Sequence, residues 1–349
     1  MVTQITAAKS ARLAPASIET STGFARAELS VGKARVYYET SRPKGKPRGS
    51  VVILHELRTN REDAKPITDV LLAKGYSVTT IDAPFTGKSF TKNAHLLEGG
   101  RGVTLADEGR GIGAAMKAAG LTPPITVVGP AHGGGTGMLA IAASGLADKV
   151  KKVVLTAPFP YDLFHANIDD LYDTGANPFR AVVDTFSVVA PLPGLFAKVW
   201  LGAYETVARP VITGVAGKVA RPLTLRWAEK FLREYFEERY PKNEIEPRLR
   251  ATLSSVLPEN TIDLDGAPYQ VTKWIPRLNP KTEVIVAVGA EDEFLRRFPA
   301  MRDHMSGLIA AARRHVGAKN VTYENNIPGL GHDVIKQRPD LVIDMVTRR

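Results

Sequence analysis

One stretch in the middle of this chain constrains its fold more than any other. The apolar, β-branched residues 125–128 predict a short buried strand, and the small residues 138–143 predict a helix. Gly129 and Gly133 lie between them, where they allow a sharp turn and close packing of the helix against the strand. Ala131, in the middle of the turn, is therefore expected to project its side chain over the end of a sheet.

Short apolar segments alternate with helical periodicity on both sides of this turn. The pattern predicts strands at 49–54, 76–81, 150–157, 283–288 and 321–324, and helices at 66–74, 103–119, 298–316 and 334–346. Residues 24–40 alternate around 31–33, which predicts an antiparallel pair at a sheet edge. Repeated strand–helix units of this kind predict an α/β fold with a mostly parallel sheet and helices on both faces.

The alternation stops between Pro158 and Pro280, where proline and glycine breaks and a charged amphipathic stretch replace the buried-strand pattern. This segment is predicted to be a largely helical insertion. We therefore expect an N-terminal extension (1–24), an α/β core (25–160 and 281–349) and a helical cap or lid (161–280) inserted before the strand at 283–288.

Composition excludes several classes of protein. The chain has no cysteine, which excludes disulfides and thiolate catalysis and fits a reducing, cytoplasmic location. Lysine and arginine number 46 against 36 acidic residues, but the charges are dispersed and no nucleic-acid motif is present. No apolar run approaches the ~20 residues of a membrane span. With no metal-ligand spacing and no nucleotide-binding motif, we expect neither a metal nor a cofactor.

Active sites on open parallel sheets lie beyond the carboxyl ends of the strands. Four predicted strands end in residues that are candidates for chemistry. They are His55-Glu56-Leu57 after the first parallel strand, Ala131-His132 at the glycine-rich turn, Asp292 within an acidic triplet, and His332 in the loop after the last strand.

With these residues the chain resembles the α/β-hydrolase superfamily over most of residues 25–160 and 281–349. The family's order of nucleophile, acid and histidine places Ala131 at the nucleophile of a G-x-S-x-G elbow, Asp292 at the acid and His332 at the histidine. Residues 82–89 look like the D-x-x-G-x-G-x-S turn found in many members.

The resemblance implies a mechanism for these positions. A serine at the elbow would lose its proton to His332, Asp292 would orient the imidazole, and two backbone N–H groups would hold the oxyanion. By resemblance, these donors are His132 and a residue of the Glu56–Leu57 turn, although Glu56 stands where the family usually has glycine. Asp162 follows the strand at 150–157 and is an alternative position for the acid.

The substrate is expected to be a small molecule, an apolar or bulky ester. Candidate contacts are His55, Phe159 and Tyr161, with His55 favoured as a structural histidine under the oxyanion turn. The aromatic and aliphatic residues of the insertion fit such a substrate, and core packing explains them equally well.

Alanine offers no nucleophile, so several hypotheses remain open. The first is a carboxylic ester, thioester or lactone hydrolase inactivated by Ala131. The second is an enzyme that uses only His332 and Asp292 as a base, such as a lyase, an isomerase or a cofactor-free oxygenase. The third is a non-catalytic binding protein. The Gly-Pro-x-x-Gly-Gly form of the elbow resembles the homoserine acetyltransferase branch, which adds acyl transfer as an alternative to hydrolysis.

Overall fold

A single sheet organises the part of the chain that the structure describes. The computed structural model describes residues 18–57, 59–98, 102–158, 233–234, 236–256, 262–267, 269–292 and 300–348. The strands of the sheet are β1 (Ile18–Leu29), β2 (Gly32–Pro43), β3 (Ser50–Ile53), β4 (Ser77–Ile81), β5 (Ile125–Pro130), β6 (Val150–Thr156), β7 (Glu283–Gly289) and β8 (Val321–Ile327).

The strand order is β1-β2-β4-β3-β5-β6-β7-β8. All neighbours from β4 to β8 are parallel, and the β1–β2 hairpin is added antiparallel at one edge. The mostly parallel sheet and the antiparallel edge pair predicted from the sequence are both confirmed.

Helices cover both faces of this sheet. They are α1 (Lys65–Ala73), α2 (Gly87–Asn93), α3 (Leu105–Ala118), α4 (His132–Ser144), α5 (Lys242–Val256), α6 (Val271–Trp274), α7 (Ala300–Val316), α8 (Val334–Gln337) and α9 (Pro339–Thr347). Successive residues of β3 show how the faces divide: Val51 packs with α1 and the C-terminal helices, whereas Val52 packs with α3 and α4. Because both faces are buried, the central strands are mostly apolar, with serine and threonine in β4 and two lysines near the start of β6 among the exceptions.

Among the element boundaries that differ from the sequence prediction, two lie near the ends of the chain. The first strand begins at Ile18, so part of the segment expected as an N-terminal extension belongs to the sheet. Residues 18–22 are exposed and pair with β2, so they carry no burial pattern that could reveal the strand. The last helix is divided into α8 and α9, because Arg338 precedes Pro339 and adopts a non-helical conformation.

The described part of the expected cap contains α5 and α6. Most of the amphipathic stretch at 225–240 lies outside the described residues. None of the described helices is long and apolar enough to cross a lipid bilayer.

Candidate active site

The turn at Ala131 has a strained backbone. Ala131 lies between β5 and α4 with φ 43° and ψ −115°, a combination that residues with a side chain rarely adopt. Its N–H donates to the carbonyl of Thr156 (2.8 Å), and its own carbonyl accepts from the N–H of Gly134 (3.0 Å). These bonds to the neighbouring strand and to the first turn of α4 hold the conformation in place.

Glycine is required on both sides of this turn. A Cβ atom at Gly129 would lie 2.5 Å from the carbonyl oxygen of Gly133, and one at Gly133 would lie 2.7 Å from that of His55. The close approach predicted from the glycine spacing is therefore present. Helix α4 already begins at His132, although the sequence analysis placed its start near Met138; the glycine run forms the first turn of the helix rather than the loop before it.

Asp292 and His332 come together beyond the ends of β7 and β8. The Nδ1 atom of His332 lies 3.0 Å from Oδ2 of Asp292, and their side chains are 9% and 1% exposed. Backbone bonds connect the two loops, since the N–H of Glu291 donates to the carbonyl of Leu330 at 3.0 Å. Gly289 allows this crossing, because a Cβ atom there would overlap the carbonyl of Leu330.

The turn after β3 contains a histidine whose ring is fully engaged. The Nδ1–H of His55 donates to the carbonyl of Glu56 (2.7 Å), while Nε2 accepts from the N–H of Ala83 (3.0 Å) and lies 2.9 Å from Oγ1 of Thr86. An imidazole that donates at one nitrogen and accepts at the other is neutral and has its tautomer fixed. These bonds support the structural interpretation of His55 rather than a hydrogen bond to substrate.

Burial of His55 makes stability depend on pH. Desolvation lowers the pKa of His55 from 6.5, with the nearby carboxylate of Asp82 opposing the shift. Below about pH 6.5 the unfolded chain therefore binds a proton that the folded chain does not, so the free energy of unfolding should fall as the pH falls. We expect His55 to contribute a slope of at most about 1.4 kcal/mol per pH unit between pH 6.5 and its lowered pKa.

Urea denaturation of the chain and of His55→Gln between pH 5 and 8 measures this slope. The slope difference should vanish above about pH 7. His95→Gln, at an exposed histidine, serves as the control. Parallel pH profiles for the chain and His55→Gln would contradict the prediction.

The turn after β3 also contains Glu56 and Leu57, the two residues expected as candidate oxyanion donors. The N–H of Glu56 donates to Oγ1 of Thr59 (3.0 Å), and the Thr59 hydroxyl also contacts the carbonyl of Glu56 (3.3 Å). Of the two donors expected in the turn, the N–H of Glu56 is therefore directed to Thr59. Leu57 therefore fits the expected role of oxyanion donor better than Glu56 does.

A cavity lies between the elbow, this turn and helix α5. It is a small pocket that is partly open to solvent. Its lining includes Leu57 from the turn, His132 and Glu108 from α4 and α3, and Ala251 and Thr252 from α5. The Nε2 atom of His132 forms a very short contact with the carboxylate of Glu108, and both residues are buried.

The known proteins that this chain resembles are similar to it in structure. No protein-family model and no curated protein matches the chain. A probable hydrolytic enzyme of Pseudomonas aeruginosa matches with a TM-score of 0.54 and 14% identity, over 93% of each chain. A bromoperoxidase of Bacillus anthracis matches at 0.52 and 14% identity, over 93% of this chain and 98% of that one. A peroxisomal α/β-hydrolase of Saccharomyces cerevisiae matches at 0.52 and 14% identity, over 95% and 87%.

The chain has the α/β-hydrolase fold. Identities this low show the fold and leave the activity to be argued from the site. In this fold Ala131, Asp292 and His332 follow β5, β7 and β8 in the chain, and their catalytic roles remain predictions. Phe159, Tyr161 and the alternative acid Asp162 lie outside the described residues. Within the described ranges, no group of three or more acidic or histidine side chains is arranged to hold a metal ion.

Glu108 was missed by the sequence analysis. It lies in the first turn of α3 and is buried, on the same helical stripe as Ile112 and Met116. A charged residue at i, where i+4 and i+8 are apolar, is a signal that a polar side chain enters the interior. That signal is present in the sequence, but its partner His132 follows only from the packing of α3 against α4.

Proposed function

We propose that this protein is a hydrolase of the serine-hydrolase type, for carboxylic ester, thioester or lactone bonds, in which alanine occupies the nucleophile position. The observation that carries the proposal is the strained backbone of Ala131. Such conformations cost about 1–3 kcal/mol and are typical of functional sites. An elbow that holds residue 131 in this way fits a position designed to present a reactive side chain.

The surrounding groups support distinct roles in acyl transfer. With serine at 131, the hydroxyl proton passes to Nε2 of His332 while Oγ attacks the carbonyl carbon. Asp292, at Nδ1, orients the imidazole and stabilises its charged form. The backbone N–H groups of His132 and Leu57 are assigned to the oxyanion.

The reaction is completed by acylation and then deacylation of the serine. The intermediate expels the alcohol or thiol, which takes the proton from His332, and an acyl-enzyme remains. A water molecule repeats the sequence and releases the acid. With Ala131 the first attack has no nucleophile, so the present chain binds ester without forming an acyl-enzyme.

Residues 161–280 are proposed to form the cap over this site. Support comes from α5, which contributes Ala251 and Thr252 to the cavity. The guanidinium of Arg248, one turn earlier, lies 4.1 Å from the ring centre of Phe90 and 4.0 Å from that of Tyr240. The contact with Phe90 holds α5 against α2 in the core, next to the site.

A second candidate function is general-base catalysis by His332 and Asp292 alone. It is favoured by one observation, the contact between Nδ1 of His332 and Oδ2 of Asp292, which a base can use without a nucleophile at residue 131. In that case His332 removes a proton directly from the substrate, as a lyase, an isomerase or a cofactor-free oxygenase requires. Acyl transfer to an acceptor other than water would use the same acyl-enzyme as hydrolysis and ranks below it.

The variant Ala131→Ser separates these candidates. Labelling by a fluorophosphonate and hydrolysis of aryl esters, thioesters or lactones would support the serine-hydrolase proposal. An Ala131→Ser variant that folds and remains inert would overturn it and leave chemistry by His332, or binding alone.

A further inference from the structure

We propose that the cavity beside the elbow selects small esters whose acyl group carries a hydroxyl group, and that Glu108 and His132 recognise this hydroxyl. The inference rests on the proposed function, since it names the substrate class of the same site. It replaces the apolar or bulky ester expected from the sequence.

Glu108 and His132 lie together at the wall of the cavity. A carboxylate and an imidazole contact each other at the cavity wall, with side chains that are 9% (Glu108) and 5% (His132) exposed. Removing such groups from water costs several kcal/mol unless they are paired and hydrogen-bonded. The two groups meet that condition by bonding to each other, so a ligand group at this wall is favoured only if it adds a hydrogen bond to the pair.

The helices that carry Glu108 and His132 are held firmly in place. Thr104 caps α3 by accepting the N–H of Asp107 at 3.1 Å, and the carboxylate of Asp107 accepts the N–H of Ser30 at 2.6 Å. Further along, α3 lies so close to α4 that a Cβ atom at Gly109 would be 2.5 Å from Cβ of Leu139. Both ends of the pair therefore lie on fixed elements, which favours selective recognition.

His132 connects the pair to the proposed oxyanion hole. The N–H of His132 is assigned to the oxyanion, and the same residue supplies the imidazole of the pair. A substrate group that contacts this imidazole is therefore separated from the ester carbonyl carbon by only a few covalent bonds of the acyl chain.

A hydroxyl group matches the hydrogen-bonding chemistry of the pair. A carboxylate accepts hydrogen bonds, and an imidazole donates or accepts them according to its protonation. A hydroxyl both donates and accepts, so it can bond to either member of the pair. The side chain of Thr252, on α5, also lines the cavity.

The alternative is a purely structural pair that ties α3 to α4. A structural pair would affect thermal stability and leave the preference among ligands unchanged. The two roles are therefore separated by comparing ligands that differ in one group.

The test uses the chain as it is, because Ala131 leaves a bound ester intact. Ethyl 3-hydroxybutyrate is compared with ethyl 3-methylbutanoate, in which a methyl group replaces the hydroxyl, by ligand-observed NMR titration. We expect the hydroxy ester to bind about 10- to 100-fold more tightly, the range for one hydrogen bond to a charged group. Glu108→Gln and His132→Asn should each reduce this ratio to about 2 or less, with little change for the methyl ester.

Glu62→Gln makes the same substitution at a side chain that is 70% exposed and should keep the full ratio. Equal affinity of the chain for the two esters overturns the inference, and so does a ratio that survives Glu108→Gln, or absence of binding by both esters. Since the ratio is measured on the unmodified chain, it stands even if a variant fails to fold. Turnover by Ala131→Ser does not enter this measurement, so failure of the proposed function remains a separate result.

Discussion

Ala131→Ser is expected to convert the chain into an active ester hydrolase. Its kcat for an aryl ester should exceed that of the unmodified chain by at least about 10⁴-fold, since removal of a serine nucleophile costs on the order of 10⁶. The backbone already has the required conformation, with φ 43° at residue 131, so the substitution adds only one oxygen atom. Release of p-nitrophenol from p-nitrophenyl acetate and labelling by a fluorophosphonate measure the gain.

Ala157 provides a matched control for this substitution. It follows β6, is buried, and has φ 44°, so Ala157→Ser introduces a serine of similar strain and burial one strand away. This variant should neither label nor turn over ester. Equal labelling of both variants would show that reactivity does not come from the elbow, and it would contradict the proposed role of residue 131.

The positions of Ala131, Asp292 and His332 could be predicted because the topology of a parallel sheet is encoded locally. Each strand is a short apolar run, and every such strand that is followed by a helix ends at the same edge of the sheet. Residues that follow those runs must therefore gather at one edge, whatever the details of packing. The spacing of Gly129 and Gly133 added the sharp turn, which needs no knowledge of distant residues.

Other features of the site depend on contacts between segments far apart in the chain. The tautomer of His55 is set by Ala83 and Thr86, which lie 28 and 31 residues away. The Glu108–His132 pair depends on how deeply α3 and α4 interlock, which is decided by the packing at Gly109. Hydrogen-bond partners of this kind have no periodic signature, so the sequence predicted His132 only as a backbone donor.

The start of α4 illustrates a different limit. Three consecutive glycines have low helix propensity, and the helix was predicted only from Met138, after a glycine-rich turn. Tertiary packing overrides that propensity, because a Cβ atom at Gly134 would lie 2.9 Å from Cβ of Pro158. The glycines are needed for space at the sheet edge, and the helix tolerates them because it is buried on several sides.

The largest loss of activity is expected from His332. In the Ala131→Ser background, His332→Gln should lower kcat on the order of 10⁶-fold, because no other group is assigned to take the serine proton. Asp292→Asn should lower it on the order of 10⁴-fold, since an amide at the position 3.0 Å from Nδ1 leaves the imidazole without its anionic partner. Steady-state turnover of p-nitrophenyl acetate measures both losses.

His315→Gln is the control, because this histidine lies on α7 and bonds to the carbonyl of Leu278 at 2.8 Å. It should retain the turnover of Ala131→Ser. The same His332→Gln substitution in the unmodified chain tests general-base catalysis, since any activity carried out without a nucleophile must then be lost. Turnover that survives His332→Gln in both backgrounds would contradict both candidate functions, because each requires His332 to accept the proton.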